Sequence, residues 1–190
     1  MIRIALVGSI GSGKTFISKL FGYPVFNADV SVAKIYSNNK KVFYKIKKKL
    51  PQFFTEPPIK KNELIKAIIK NDKNLKKITT IIHPEVRKDL QKFLKKNKKK
   101  KFVILDIPLF LENKLDKKGD VIIFIQSSNK AALKRIKKRK NFNNLIFQKF
   151  KRIQLPLSIK KKRSQFIIKN NFKKNFARKN VKDILKRISL

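Results

Sequence analysis

The sequence predicts an α/β fold, a parallel sheet flanked by helices and carrying two helical insertions. Three observations lead there. Short apolar runs alternate with stretches that read as helices. A glycine-rich turn separates the first run from the first helix, and two basic stretches, 38–101 and 139–163, read as helical insertions. Taken in order, IRIALV at 2–7 is apolar and ends in glycine, as a buried parallel strand does. KTFISKLF at 14–21 is the first helix. VFNAD at 25–29 is a second strand, leading into a helix from about 29 to 36. In the first insertion, Leu64, Ile65, Ile68 and Ile69 mark one helix, and Leu75, Ile78, Ile81 and Ile82 mark another. That helix is expected to end at His83-Pro84, with a partner through Val86, Leu90, Phe93 and Leu94. FVILD at 102–106 and VIIFIQ at 121–126 are strands, and 129–138 is a helix. Pro156 interrupts the second insertion, FIIKN at 166–170 is the last strand, and 176–190 closes as an amphipathic helix. This reads as one domain, 1–190, with its core in 1–37, 102–138 and 164–190.

Composition excludes several classes of chemistry. At 190 residues, 42% apolar and with 16 Phe, the chain can bury a sizeable core. It has no Cys, which rules out disulfides, thiolate metal sites and cysteine nucleophiles. A single histidine, His83, rules out a multi-histidine metal centre. The N-terminal run lacks the pattern of a secretory signal, and the longest apolar run, VIIFI at 121–125, is too short to span a bilayer. The expected location is the cytoplasm, with no membrane partner.

Lys+Arg of 51 against Asp+Glu of 11 gives a net charge of +40. Such a value invites a nucleic-acid reading. Only eight of the 51 are arginine, however, and the 43 lysines are spread over nearly the whole chain. Lys, Asn, Ile and Phe are abundant together while Gly is scarce, as an AT-rich coding sequence would produce. The charge therefore reads first as solvated lysine faces, with a selected anionic partner as the alternative. Its corollary is that carboxylates are rare, so each one stands out.

Gly8-Ser9-Ile10-Gly11-Ser12-Gly13-Lys14-Thr15 fits G-x-x-x-x-G-K-[ST] between a strand and a helix. This is the phosphate loop of the P-loop NTPase fold. Phosphates lie against backbone N–H groups, which calls for glycines without a Cβ. Lys14 reaches the β/γ oxygens of ATP and the Thr15 hydroxyl holds Mg²⁺. Three of the chain's five glycines fall within six positions here. A small chain with two helical insertions suits a nucleotide or metabolite kinase. The 38–101 insertion then binds the acceptor, and 139–163 is a lid that excludes water.

Asp29 ends the second predicted strand, where a carboxylate can take or orient the proton of an attacking hydroxyl. The alternative is a helix cap. Asp106 ends FVILD and is a candidate to hold Mg²⁺ through water, or else caps a loop. Glu112 reads as either structural or functional. Arg135 and Arg139 are four apart on a predicted helix, and Arg139, nearer the lid, is the better candidate to stabilise the transferring phosphoryl group. His83 is a capping, core or site residue.

At this point the chain resembles the dephospho-CoA kinase family. GSIGSGKT is similar to that family's G-G-I-G-S-G-K-S, FNAD at 26–29 to D-A-D, IIHPEV at 81–86 to its H-P segment, and LDIPLFLE at 105–112 to D-x-P-L-L-F-E. LKRIKKR at 133–139 resembles the lid-entry helix, QLPLSIK at 154–160 resembles Q-x-P-x-x-x-K, and FIIKNN at 166–171 resembles the last strand. The resemblance implies transfer of the ATP γ-phosphoryl group to the ribose 3′-hydroxyl of dephospho-CoA, with Mg²⁺. It implies that Asp29 orients that hydroxyl, that Lys14 and Arg139 clamp the phosphoryl group, and that His83 and the 38–101 insertion contact the acceptor. Residues Gly8 to Phe16 and Asn170 would bind ATP, while Asp106 and Glu112 would lie at the substrate. Departures are Asn27 for the first acid of D-A-D, Phe16 where a hydroxyl often stands, Lys140 for an acid beside the lid arginine, and Gln165 for an aspartate. A monomer or weak homo-oligomer with no specific nucleic-acid partner is expected. The rival readings are a nucleoside monophosphate kinase and a basic nucleic-acid-binding protein with a vestigial loop.

Overall fold

Five apolar runs become five strands: β1 (Ile2–Gly8), β2 (Val25–Asn27), β3 (Phe102–Asp106), β4 (Val121–Gln126) and β5 (Phe166–Lys169). They form one sheet in the order β2-β3-β1-β4-β5, every pairing parallel. Ala5 of the central strand lies opposite Leu105 on one side and Ile122 on the other. All five residues of β3 are buried, as a strand covered on both faces requires. The structure, a computed structural model, describes residues 1–140 and 142–189. Leu190, which the sequence assigns to the closing helix, and Asn141, within the second insertion, lie outside the described residues.

Nine helices are present among the described residues: α1 (Lys14–Leu20), α2 (Ala28–Asn38), α3 (Lys40–Lys49), α4 (Lys61–Lys70), α5 (Asp72–Lys96), α6 (Asn129–Lys137), α7 (Asn144–Arg152), α8 (Leu157–Lys162) and α9 (Lys174–Ser189). The chain divides into two compact units. One holds Met1–Asn27, Asn97–Phe142 and the residues from Ile153 on; the other holds Ala28–Lys96 and Asn143–Arg152.

The first unit is built on the sheet. Ile4, Leu6, Ile104, Ile123 and Ile125 pack with Ile17 of α1 and with Val181 and Ile184 of α9. Each fully buried Leu or Ile contributes about 1.5–3 kcal/mol. Gln165 brackets the start of β5: its N–H donates to Ile122 O (3.0 Å), and its Oε1 accepts the Ile122 N–H (2.7 Å). An amide oxygen thus supplies the acceptor at the position where an aspartate is usual in the resembled family. The second unit is helical, centred on Phe43, Ile46, Leu50, Phe54, Ile78 and Ile82, and Ile146 of α7 packs against this core.

Three local expectations are corrected. VFNAD is not a strand throughout, because β2 stops at Asn27 and Asp29 lies in the first turn of α2. The helix expected to end at His83-Pro84 runs on as the 25-residue α5, with Pro84 inside it. An interior proline costs about 3 kcal/mol, and the burial of Ile78, Ile82 and Leu90 on both sides of it offsets that cost. Finally, α6 ends at Lys137, so Arg139 lies beyond the helix and does not share a helical face with Arg135.

Candidate active site

The phosphate loop leaves the sheet from its central strand. Gly13 caps α1 in the left-handed region (φ 93°), and a Cβ there would stand 2.4 Å from Asn170 Nδ2. That close approach is functional for the loop: Asn170 Nδ2 donates to Ser12 O (2.8 Å), while Asn170 Oδ1 accepts the Phe172 N–H (2.9 Å). Asn170 is 4% exposed, so its side chain braces the loop from the end of β5. The Gly13→Ala variant is expected to bind MgATP about 5–150-fold more weakly, the equivalent of roughly 1–3 kcal/mol of backbone strain. Titration calorimetry on the folded variant checks this.

Lys14 folds over the loop, its Nζ donating to Ser9 O (2.8 Å) and Gly8 O (3.2 Å). Thr15 is exposed at the start of α1, and Ser12 Oγ is buried with no hydrogen-bond partner. Phe16 turns into the core of the first unit, which accounts for an aromatic where a hydroxyl is common. Its N–H closes on Gly13 O at 3.0 Å.

On the neighbouring strand, Asp106 is 3% exposed and stands in register with Asn27, whose Nδ2 donates to its Oδ2 at 2.6 Å. A carboxylate this deep needs a donor, and Asn27 supplies one without adding a second acid. Glu112 lies in the turn after β3, where its carboxylate pairs with Lys160 (2.7 Å) and accepts the Leu155 N–H (3.0 Å). Arg139 is exposed just past α6.

In the helical unit, Asp29 is exposed in the first turn of α2. His83 lies mid-way along α5, where burial, and then the nearby Arg87 charge, hold its imidazole below the usual 6.5. Because the folded chain binds that proton less well than the unfolded one, this contribution to stability is complete above pH 6.5. It is lost as the pH falls through 6.5 and on through the lower folded value. Thermal melts from pH 8 to 5 are expected to show a decline below pH 6.5 that His83→Gln flattens.

Three features escaped the sequence reading. Arg135 stacks over the Phe172 ring at 4.5 Å, and Phe172 (φ 64°) abuts the loop beside Gly13. Asn113-Lys114-Leu115-Asp116 fits the N-K-x-D pattern with which GTPases read guanine, but Asp116 is committed to Arg163 at 2.6 Å. Lys160 is buried. The first two had local signals, the Phe-Asn cluster after FIIK and the consecutive residues 113–116; the third had none.

The dephospho-CoA kinase family profile matches residues 2–175. The chain belongs to the dephospho-CoA kinase family. A relative named dephospho-CoA kinase from Wolbachia sp. subsp. Brugia malayi is 33% identical over 98% of both chains. The function of the chain is accordingly that of a dephospho-CoA kinase, an enzyme that transfers phosphate. Two solved structures show the same fold. TT1252 from Thermus thermophilus has a TM-score of 0.80 at 24% identity, covering 98% of this chain and 97% of its own. Dephospho-CoA kinase from Campylobacter jejuni has a TM-score of 0.63 at 23% identity, covering 98% and 96%. The expected P-loop kinase fold is thereby established, and the nucleic-acid-binding alternative gives way to a kinase. No helix of the described residues is long and apolar enough to cross a membrane.

The residues of this kinase suit a hard cation held largely by phosphate oxygens and water. The Thr15 hydroxyl and the Asp106 carboxylate are hard oxygen donors, and both belong to the first unit. Among the described residues no cluster of three or more His, Cys, Asp or Glu could hold a metal ion by itself.

Proposed function

We propose that the chain transfers the γ-phosphoryl group of ATP to the ribose 3′-hydroxyl of dephospho-CoA, giving CoA and ADP, in the cytoplasm. The observation that carries this reading is the braced phosphate loop at the head of the central strand, in a chain that matches the dephospho-CoA kinase profile over 2–175. The backbone N–H groups of Gly8 to Phe16 cradle the phosphates. The buried Ser12 hydroxyl, unpartnered in the free chain, has a phosphate oxygen as its acceptor.

Asp29 accepts the proton of the attacking 3′-hydroxyl as its oxygen forms the new bond to phosphorus. The bond to the β–γ bridging oxygen breaks, and ADP leaves. Lys14 and Arg139 neutralise charge on the transferring group. Thr15, with Asp106 acting through water, would hold Mg²⁺, which supplies further charge neutralisation on the phosphates. Asn170 supports the ATP site through the loop, and His83, neutral on α5, belongs to the helical unit that takes the acceptor.

Incubation of the purified chain with MgATP and dephospho-CoA, followed by product chromatography, tests the reading. CoA and ADP are expected in equal amounts. ADP without CoA would mean a different acceptor, and the absence of both would overturn the proposal.

A further inference from the structure

Among the described residues, Lys160 is the only buried lysine in a chain crowded with exposed ones, its side chain 3% exposed. A lysine so enclosed needs a carboxylate. It meets Glu112 at 2.7 Å and also donates to Gln154 Oε1 at 3.3 Å. The same Glu112 oxygen accepts the Leu155 N–H at 3.0 Å. Glu112 is itself held firmly. Its turn is closed by Asn113 N–H to Leu109 O (3.0 Å) and Leu115 N–H to Phe110 O (3.1 Å), with Phe110 and Leu111 buried. Leu109 (φ 58°) and Lys114 (φ 50°) bracket it in a conformation unfavourable for residues other than glycine. On the other side, Lys160 N–H donates to Pro156 O, and Ser164 Oγ donates to Lys160 O.

The position of these contacts in the chain gives them meaning. The backbone leaves the sheet unit after Phe142, passes through α7, and re-enters at Ile153. Gln154 and Leu155 are therefore among the first residues of the returning strand of chain, and Glu112 holds both through Lys160 and the Leu155 N–H. Apolar residues of similar volume can replace a buried ion pair with little loss of stability. What they cannot supply is the directional hold on a backbone N–H and an amide oxygen.

We propose that Glu112 and Lys160 form a clip that ties the chain at Gln154 and Leu155 to the turn after β3, and that phosphoryl transfer depends on that hold. Both are positioning residues. The kinetic part of this proposal rests on the dephospho-CoA reaction; the structural part does not.

The test compares the native chain with Glu112→Gln, Lys160→Met and the double variant, by hydrogen exchange in the free chain and by steady-state kinetics. In the single variants, amides of 153–163 are expected to exchange about 10-fold faster while those of β1 and β3 keep their protection. The kcat for CoA should fall about 10–100-fold, the cost of a slightly misplaced group, with KM for ATP moving less than about 3-fold. ADP should also be released without CoA. The double variant, free of an unpaired buried charge, should regain the thermal midpoint but not kcat. Recovery of kcat together with the midpoint, or loss of protection spread evenly over both units, would overturn the clip. The localised exchange change in a chain that makes no CoA would support the clip and refute the assigned reaction.

Discussion

CoA formation by the Lys14→Ala variant is expected to fall by about 10²–10³-fold or more, the loss seen when one preorganised group is withdrawn from developing charge. Two positions of the Lys14 ammonium underlie this expectation. In the free chain its ammonium rests on Ser9 O and Gly8 O, keeping the loop folded over its own cation. In the proposed reaction the same ammonium would reach the phosphate oxygens of ATP. Arginine is not a substitute, because its flat, wider fork cannot occupy a cradle shaped for a point charge. The side chain is only part-buried, so the thermal midpoint should move little. Parallel melting curves and product chromatography then separate lost chemistry from lost fold. A variant retaining more than a tenth of the native rate would remove Lys14 from the reaction.

Asp29→Asn is expected to lower kcat by about 10²–10⁴-fold, the contribution of a positioned general base, while leaving KM for ATP nearly unchanged. The substitution also decides between the two roles that the sequence leaves open. As an acid in the first turn of α2, Asp29 interacts favourably with the helix dipole, an effect of about 0.3–1 kcal/mol. Asparagine forfeits that modest term. If helix stabilisation were the whole of its role, the midpoint would shift by a few degrees and the rate would survive. Initial-rate measurements across ATP and dephospho-CoA concentrations, with a thermal melt of each protein, distinguish the cases.

What could be read from the sequence was what depends on consecutive residues. β3 and β4 have the predicted bounds because each is an apolar run that follows a charged residue, Lys101 or Asp120, and closes on a polar one, Asp106 or Gln126. The phosphate loop was legible because its glycines, lysine and hydroxyl must be adjacent in the chain to surround a phosphate. Asp106 could be singled out because it terminates such a run. Continuity through Pro84 could not be read, since burial along α5 outweighs a local preference that the sequence displays openly. Nor could the partnership of Glu112 with Lys160, 48 residues apart in the numbering, because nothing in either segment names the other. The carboxamide of Asn27 looked like a lost acid. In register with Asp106 it is a donor to a buried carboxylate, and only the strand pairing reveals that.

The brace from Asn170 to Ser12 spans 158 positions of the chain. The loop is therefore made 158 positions ahead of the residue that braces it. At roughly 5–20 residues per second, a nascent chain would carry an unfinished cradle for about 8–30 seconds before the closing residue is made. A chain that stops short of Asn170 would carry every residue of the loop without this brace.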